Sequence, residues 1–376
     1  MKTDSRKLLV FCLFILVPTI RSTAATVIAW GSGPGTNVPS DVTNALAIAS
    51  GSSHNLALLS DKTVLAWGNN SYSQTNVPGS LSNVVAVSGG FYHSLALTLD
   101  GSVTAWGRNT HQQSTVPEGL SNVTAIAAGG EHSVALLNDG TLTNWGQYYD
   151  TDAGVYLVKG FPESLTNIMA IAAGSDHDLM LKSNGTVVAF GLNADGQADI
   201  PEGLSNVVAI SCGGYHSLAL KSDGTVSAWG RNNSGQSDVP AGLSNIIAIS
   251  AGYEHNIALQ GNGTLMVWGA GLDGQTNTPA GISNVLAFAA GKTHNVAILP
   301  DDVPALPLFA QNPIWTNGVF SVSVQTRVGK AYRLECKDNL SDPTWIELSS
   351  RPGDGSIMSL SEPSIVPQRF FRIREL

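Results

Sequence analysis

The apolar residues of this chain fall in runs of about five, and the runs recur with a fixed beat. One unit reads Asn206-Val-Val-Ala-Ile210, a break at Gly213-Gly214, then His216-Ser-Leu-Ala-Leu220. The turn Ser222-Asp223-Gly224 and the alternating segment Thr225-Val-Ser-Ala-Trp229 follow. Short runs of apolar and β-branched residues bounded by Gly and Asp-Gly predict three antiparallel strands, the last two joined as a hairpin. The stretch Arg231 to Pro240 loops back with room for a short fourth strand. A 3.6-residue period is absent, which excludes helical repeats.

The beat itself is the main feature. Histidine recurs at His54, His93, His132, His177, His216, His255 and His294, with spacings of 39, 39, 45, 39, 39 and 39. A glycine precedes each by three residues, from Gly51 to Gly291, and an aromatic-Gly pair follows the first six by thirteen. Those aromatics are Trp67, Trp106, Trp145, Phe190, Trp229 and Trp268. Proline keeps the same step from Pro39 to Pro279, and asparagine from Asn44 to Asn284. Three or four strands per 39 residues is the size of a propeller blade. The first strand of each unit is small, as in Ala125-Ile-Ala-Ala-Gly129, which suits strands converging on an axis, with the tryptophans further out.

The ends of the array set the number of blades. His294 has no Trp-Gly after it, whereas an unpartnered Trp30-Gly31 stands near the N-terminus. The expected architecture is therefore all-β: a seven-bladed β-propeller closed by N-/C-terminal strand exchange. Its last blade draws inner strands from 283–299 and outer strands from 26–39. Asp301 to Pro307 reads as a linker, and 304–376 as a linker and small C-terminal β-sandwich. Its strands are expected around Phe320–Val324, Ala331–Glu335, Trp345–Leu348 and Arg369–Ile373.

The N-terminus changes the expected location. Lys2, Arg6 and Lys7 precede an apolar run from Leu8 to Ile20, and Ser22 to Ala25 offer small residues for cleavage. Residues 1–25 thus read as a signal peptide, leaving 26–303 as the propeller and placing the protein outside the cytoplasm. The run is too short to span a bilayer. Charge narrows the partners. Residues 25–303 carry 7 Lys+Arg against 20 Asp+Glu, a net of −13, which argues against nucleic acid and anionic membrane. After removal of the signal only Cys212 and Cys336 remain, in different domains, and both are expected as thiols.

The segments Gly213-Gly-Tyr-His-Ser-Leu-Ala-Leu220 and Thr225-Val-Ser-Ala-Trp-Gly230 resemble the repeat of the regulator of chromosome condensation family, and the resemblance recurs over about residues 26–300. Within it, the short repeat with a Val-Pro ending, as at Val38-Pro39, Val77-Pro78, Val116-Pro117 and Val239-Pro240, is most similar to secreted bacterial propeller-type β-lactamase inhibitory proteins. The resemblance implies a binding scaffold that uses aromatic residues of the inner turns. The C-terminal pattern around Tyr332, Trp345 and Arg369-Phe-Phe-Arg372 resembles small β-sandwiches appended to secreted bacterial proteins.

Chemistry is otherwise sparse. Each histidine holds the same place in a different blade, so the seven spread on a ring instead of converging on a metal, and bridging of backbone groups between strands is expected. Asn193-Ala-Asp-Gly-Gln197 and Gly271-Leu-Asp-Gly-Gln275 lack the further carboxylates of a calcium loop. No nucleophile elbow, phosphate loop or paired-carboxylate motif stands out, so neither an enzyme nor a cofactor is expected. Variation between copies points to one face. Five of the hairpins on the other face are Asp-Gly or Asn-Gly, whereas the inner turns bring Phe91, Tyr92, Glu131, Asp176, Tyr215, Tyr253, Glu254 and Lys292. The outer turns add Tyr72, Arg108, His111 and Arg231, and a six-residue insertion brings Tyr148, Tyr149 and Tyr156. Exposed aromatics beside charges suit a protein interface. The expected partner site is Tyr72, Phe91, Tyr92, Glu131, Tyr148, Tyr149, Asp176, Tyr215, Tyr253 and Glu254, on a monomer. A carbohydrate partner is the alternative.

Overall fold

The computed structural model describes residues 25–300, apart from 151–153, 158–159 and 163–164, and the strands between 311 and 375. The signal segment and the linker lie outside the described residues. The chain divides into two compact units, residues 1–301 and 302–376.

The first unit is all-β, and its described residues form seven three-stranded antiparallel sheets and one two-stranded hairpin. The His216 sheet stands for six of the seven, with an inner strand Val207–Cys212, a middle strand His216–Lys221 and an outer strand Val226–Gly230. In the remaining sheet, Ala25–Gly31 pairs antiparallel with His294–Pro300, placing Trp30 opposite Asn295, and His294–Pro300 pairs in turn with Ala287–Ala290. No fourth strand joins any of the seven among the described residues, because the stretch after each Trp-Gly is used for turns. The insertion forms a hairpin of its own, Tyr148–Asp150 against Val155–Leu157.

The recurring residues each have a physical task. All seven asparagines, Asn44 to Asn284, hold φ between 54° and 60°, a left-handed conformation that asparagine tolerates better than most residues. Each precedes an inner strand, directly in six sheets and by three residues at Asn284. The middle strands are buried along almost their whole length, and their apolar residues pack between neighbouring sheets. Leu56 and Leu58, for example, share a core with Val84, Val87 and Trp106 of the next sheet.

The histidines join sheet to sheet chiefly through side chains, where the sequence suggested backbone groups; His54 and His177 also meet the backbone of His93 and His216. His54 Nε2 bonds Ser94 Oγ at 3.0 Å, His93 bonds Ser133, His132 bonds Asp178, and His177 bonds Ser217. His216 bonds Asn256, His255 bonds Asn295, and His294 bonds Asn55 of the first sheet. The glycine three residues earlier makes room. A Cβ on Gly51 would stand 2.2 Å from the His54 ring and 2.3 Å from the Gly90 carbonyl. Burial, the main cause, pulls His93 down to about 3, and His54, His177, His216, His255 and His294 to about 4, so these rings are neutral at pH 7.

A second latch uses a residue that the sequence reading passed over. The Gln74 carbonyl accepts from the Trp106 indole N–H at 2.9 Å and from Ser94 Oγ at 2.8 Å. Gln113, Gln197, Gln236 and Gln275 repeat the arrangement with the next tryptophan and the next Ser or Asn. The signal was legible as a glutamine seven residues after the aromatic of five units, Trp67, Trp106, Phe190, Trp229 and Trp268.

The described residues of the second unit form two three-stranded antiparallel sheets. One orders Gln311–Thr316, Val319–Gln325 and Ile357–Pro363; the other orders Ile346–Pro352, Ala331–Lys337 and Phe370–Glu375. The strands at 311–316 and 357–363 were not expected from the sequence.

Candidate functional site

The inner turns form a hydrogen-bonded circuit. Ser52 N–H donates to Gly90 O, Phe91 to Gly129, Gly130 to Gly174, Ser175 to Gly214, Gly214 to Tyr253, Tyr253 to Gly291, and Lys292 to Ser52. The turn backbone is thereby fixed, and the side chains at these positions are free to vary without loss of the sheet. Inside the circuit lies a cavity of about 260 Å³, walled by the inner strands.

Aromatic rings form an arc, and two of them, Phe91 and Tyr253, line this cavity. Tyr72 and Tyr92 have centroids 5.1 Å apart, Tyr92 and Phe91 6.2 Å, Phe91 and Tyr253 5.7 Å, and Tyr253 and Tyr215 5.6 Å. Phe91 and Tyr253 belong to sheets that are not neighbours, so this arc exists only in the folded chain. Cations lie along it. Arg108 sits 5.2 Å from the Tyr72 centroid and 5.4 Å from that of Tyr92, Arg231 4.0 Å from Tyr215, and Lys292 5.1 Å from Tyr253. Such contacts hold both partners in fixed orientations. Burial and the hydrogen bond with Tyr215 keep the Tyr253 hydroxyl well above the usual phenol range, so it remains protonated at neutral pH. Tyr72 is 44% exposed; Phe91, Tyr92, Tyr215, Tyr253 and Glu254 are half-buried.

Three of the ten expected partner residues are not surface groups. Tyr148 has no exposed area: its ring stacks on His132 at 4.0 Å, and its hydroxyl donates to Asp178 Oδ2 at 2.7 Å. It is a core residue, because the insertion folds its first strand down onto the sheet. Glu131 is 5% exposed and is bound by Arg108 at 2.6 Å, by Gln113 and by His111. Burial pushes its carboxyl up while Arg108 and His111 pull it down. Asp176 is 8% exposed and accepts the Tyr149 backbone N–H at 2.7 Å. Both carboxylates therefore hold turns in place. Tyr149 remains half-buried and packs edge-on against Tyr156 at 5.2 Å, and Tyr156 lies on His111 at 4.2 Å. This second aromatic group is carried by the insertion, whose Val155 and Leu157 are also exposed.

Asp195, in one of the two calcium-like loops, pairs with Arg231 at 2.9 Å, and Asn193 binds Asp199 within the same turn. Among the described residues, no three metal-binding side chains gather at one point, and no helix is long and apolar enough to cross a membrane. Cys212 is buried, and its thiol donates to the Ala172 carbonyl at 3.4 Å.

The Regulator of chromosome condensation (RCC1) repeat matches residues 46–74, 84–113, 123–147, 169–197, 207–236 and 246–275. No curated protein matches the chain. Among solved structures, Prp20p of Saccharomyces cerevisiae, described with its binding properties to Gsp1p and histones, is 20% identical with a TM-score of 0.63. The match covers 74% of this chain and 92% of that one. The same yeast protein, solved with Kap60 bound, gives a TM-score of 0.60 at 19% identity over 74% of this chain and 90% of that one. Human WBSCR16 is 21% identical with a TM-score of 0.59, over 74% of this chain and all of that one. At these identities the likeness is one of fold. Six matching repeats and a shared architecture lead to one conclusion: the chain belongs to the regulator of chromosome condensation repeat family, and its first unit has the RCC1-like propeller fold.

Proposed function

We propose that this protein is a secreted, non-enzymatic binding scaffold, a seven-bladed propeller that recognises a protein partner through the face bearing the aromatic arc. The observation that carries this reading is the arc itself: five rings in continuous contact, partly exposed, with cations set against them. Aromatic and arginine side chains are the usual anchors of protein interfaces, since they bury much area at small entropic cost. The hairpins of the opposite face are short and mostly polar, five of them Asp-Gly or Asn-Gly, with Leu99 an exposed apolar exception. Strand pairing between Ala25–Gly31 and His294–Pro300, with the His294–Asn55 bond, supports a ring closed by the chain ends. Closure also removes the sheet edges that an open array would leave.

Relatives with this fold bind proteins: Gsp1p, histones and Kap60 in the case of Prp20p. The apolar run at Leu8–Ile20 supports a partner outside the cytoplasm, and similarity to the inhibitory propellers makes an extracellular or periplasmic enzyme the first class to test. The two C-terminal sheets are read as a small β-sandwich with an attachment role.

Mature protein from its native host, used as bait in periplasm and culture medium, should capture a partner. Phe91→Ala and Tyr215→Ala should each weaken capture about thirtyfold, the loss of about 2 kcal/mol typical of an anchor. Asp223→Ala on the hairpin face should leave it unchanged. Sensitivity at Asp223 with silence at Phe91 and Tyr215 would overturn the assignment of the face. Capture of a glycan in place of a protein would favour the carbohydrate reading.

A further inference from the structure

The axial cavity is a different matter from the face around it. Its wall is made of small and apolar residues such as Ile126, Ala127 and Ala172, with Ser211 and Ser250 whose oxygens accept amides of the next sheet. Lys292 is the only charged residue among the described residues that line it. Arg108 and Arg231 nearby are each paired with a carboxylate, at 2.6 Å and 2.9 Å. Lys292 is exposed and has no acidic partner among the described residues; its ammonium is 5.1 Å from the Tyr253 ring centre. The turn amides donate to one another around the circuit, so recognition of an anion at the mouth falls to Lys292.

A second, independent feature lies across the mouth, three sheets away. Ser175 lines the same cavity, is 1% exposed, and has a hydroxyl oxygen with no hydrogen-bond partner. A buried polar group in that condition costs free energy unless something meets it. Phe91 and Tyr253 line the same cavity, their rings 5.7 Å apart.

We propose that the axial cavity binds a carboxylic acid with an apolar body: the carboxylate against Lys292, the body between Phe91, Tyr253 and the alanine wall, and an acceptor atom on the ligand taking the Ser175 hydroxyl proton. A volume of about 260 Å³ lies near the lower end of small-molecule sites, roughly 300–1,000 Å³, so the occupant is one ring or one residue in size. Pairing with the Lys292 ammonium supplies a charge-assisted hydrogen bond, and the neutral wall excludes a second charge. A free aryl acid and the C-terminal phenylalanine of another protein share this chemistry. The site stands independently of the protein-binding reading, since it is tested with no protein partner.

The test is titration of the full mature chain, by calorimetry and by ligand-observed NMR, with phenylacetate, phenylacetamide, Gly-Gly-Phe and Gly-Gly-Phe amide. Acids should bind saturably and the amides at least about tenfold more weakly. Lys292→Met should weaken the acids to the level of the amides without changing the melting temperature, and Lys292→Arg should restore most of the affinity. Ser175→Ala should weaken the acids by severalfold and leave the acid–amide ratio intact. Tighter binding of Gly-Gly-Phe than of phenylacetate assigns the site to a chain end, and the reverse order to a free acid. Equal binding of acid and amide, indifference to Lys292→Met, or no saturable binding of either acid up to about 10 mM overturns the proposal.

Discussion

Two kinds of boundary between sheets exist in this molecule. In the regular kind, a backbone carbonyl from the preceding outer turn, such as that of Gln74, receives two donors: a tryptophan indole and a serine or asparagine. The boundary after the insertion replaces every part of this arrangement. The tryptophan becomes Phe190, which has no N–H to place, and the Ser/Asn position becomes Asp178, which only accepts when ionised. Tyr148 from the insertion then supplies the donor, at 2.7 Å from Asp178, and packs edge-on against Phe190 at 5.8 Å. Asp152 stands where the other units carry the latch glutamine, and the donor groups of this boundary differ with it. A buried donor left without an acceptor costs about 1–3 kcal/mol, and substitution at both positions avoids that cost.

The largest effect bears on six buried histidines of the regular boundaries, which burial holds neutral. They have folded-state values near 3 to 4 against about 6.5 unfolded, so the unfolded chain binds more protons between those limits. Their contribution is fully present above pH 6.5 and is lost as pH falls toward 4, at roughly 1 kcal/mol per histidine per pH unit. Urea unfolding at pH 7, 6 and 5 should show a steep decline; a flat profile would mean that the rings are not held neutral.

Next in size, Trp106→Ala should cost roughly 3–5 kcal/mol by removing a large buried side chain and one donor. Phe190→Ala should cost less than Trp106→Ala, since no hydrogen bond is lost with the ring. Asp178→Ala should follow, at about 2–4 kcal/mol, because it strands both His132 and Tyr148, whereas Ser94→Ala strands His54 and leaves the Gln74 carbonyl satisfied by Trp106. Equal losses for Asp178→Ala and Ser94→Ala in denaturant titrations would break the distinction between the two boundaries. The smallest and sharpest test exchanges the aromatics. Trp106→Phe should cost about 1 kcal/mol, while Phe190→Trp should also destabilise, by about 1–3 kcal/mol, since no glutamine carbonyl awaits its indole. A stabilising Phe190→Trp would show that an acceptor is present after all.

Much of the architecture could be read from spacing. The Asn, Gly, His and Trp beats mark strand starts and crowded contacts in every unit, and the unpartnered Trp30-Gly31 pointed to the pairing with His294–Pro300 seen in the sheet register. The site was legible only in outline. Tyr72, Phe91, Tyr92, Tyr215 and Tyr253 stood out because neighbouring copies differ there, and they do form one connected arc. Glu131, Tyr148 and Asp176 stood out for the same reason, yet they lie inside. Variation between copies marks departure from the repeat, and both a binding surface and a rebuilt boundary depart from it.

The amino-acid sequence by itself determined the local pieces: strands of five or six residues, left-handed asparagines before them, Asp-Gly hairpins, and a histidine that needs a glycine beside it. These depend on neighbours within a few residues, so a 39-residue period reveals them. Tertiary structure decided everything that depends on residues distant along the chain. It set the side-chain partner of each histidine in the next sheet, the Phe91–Tyr253 contact, the burial of Tyr148, and the solitary positions of Lys292 and Ser175 at the cavity. The reason is geometric: a period states that positions are equivalent, whereas distances between different copies follow only from how the sheets are arranged about the axis.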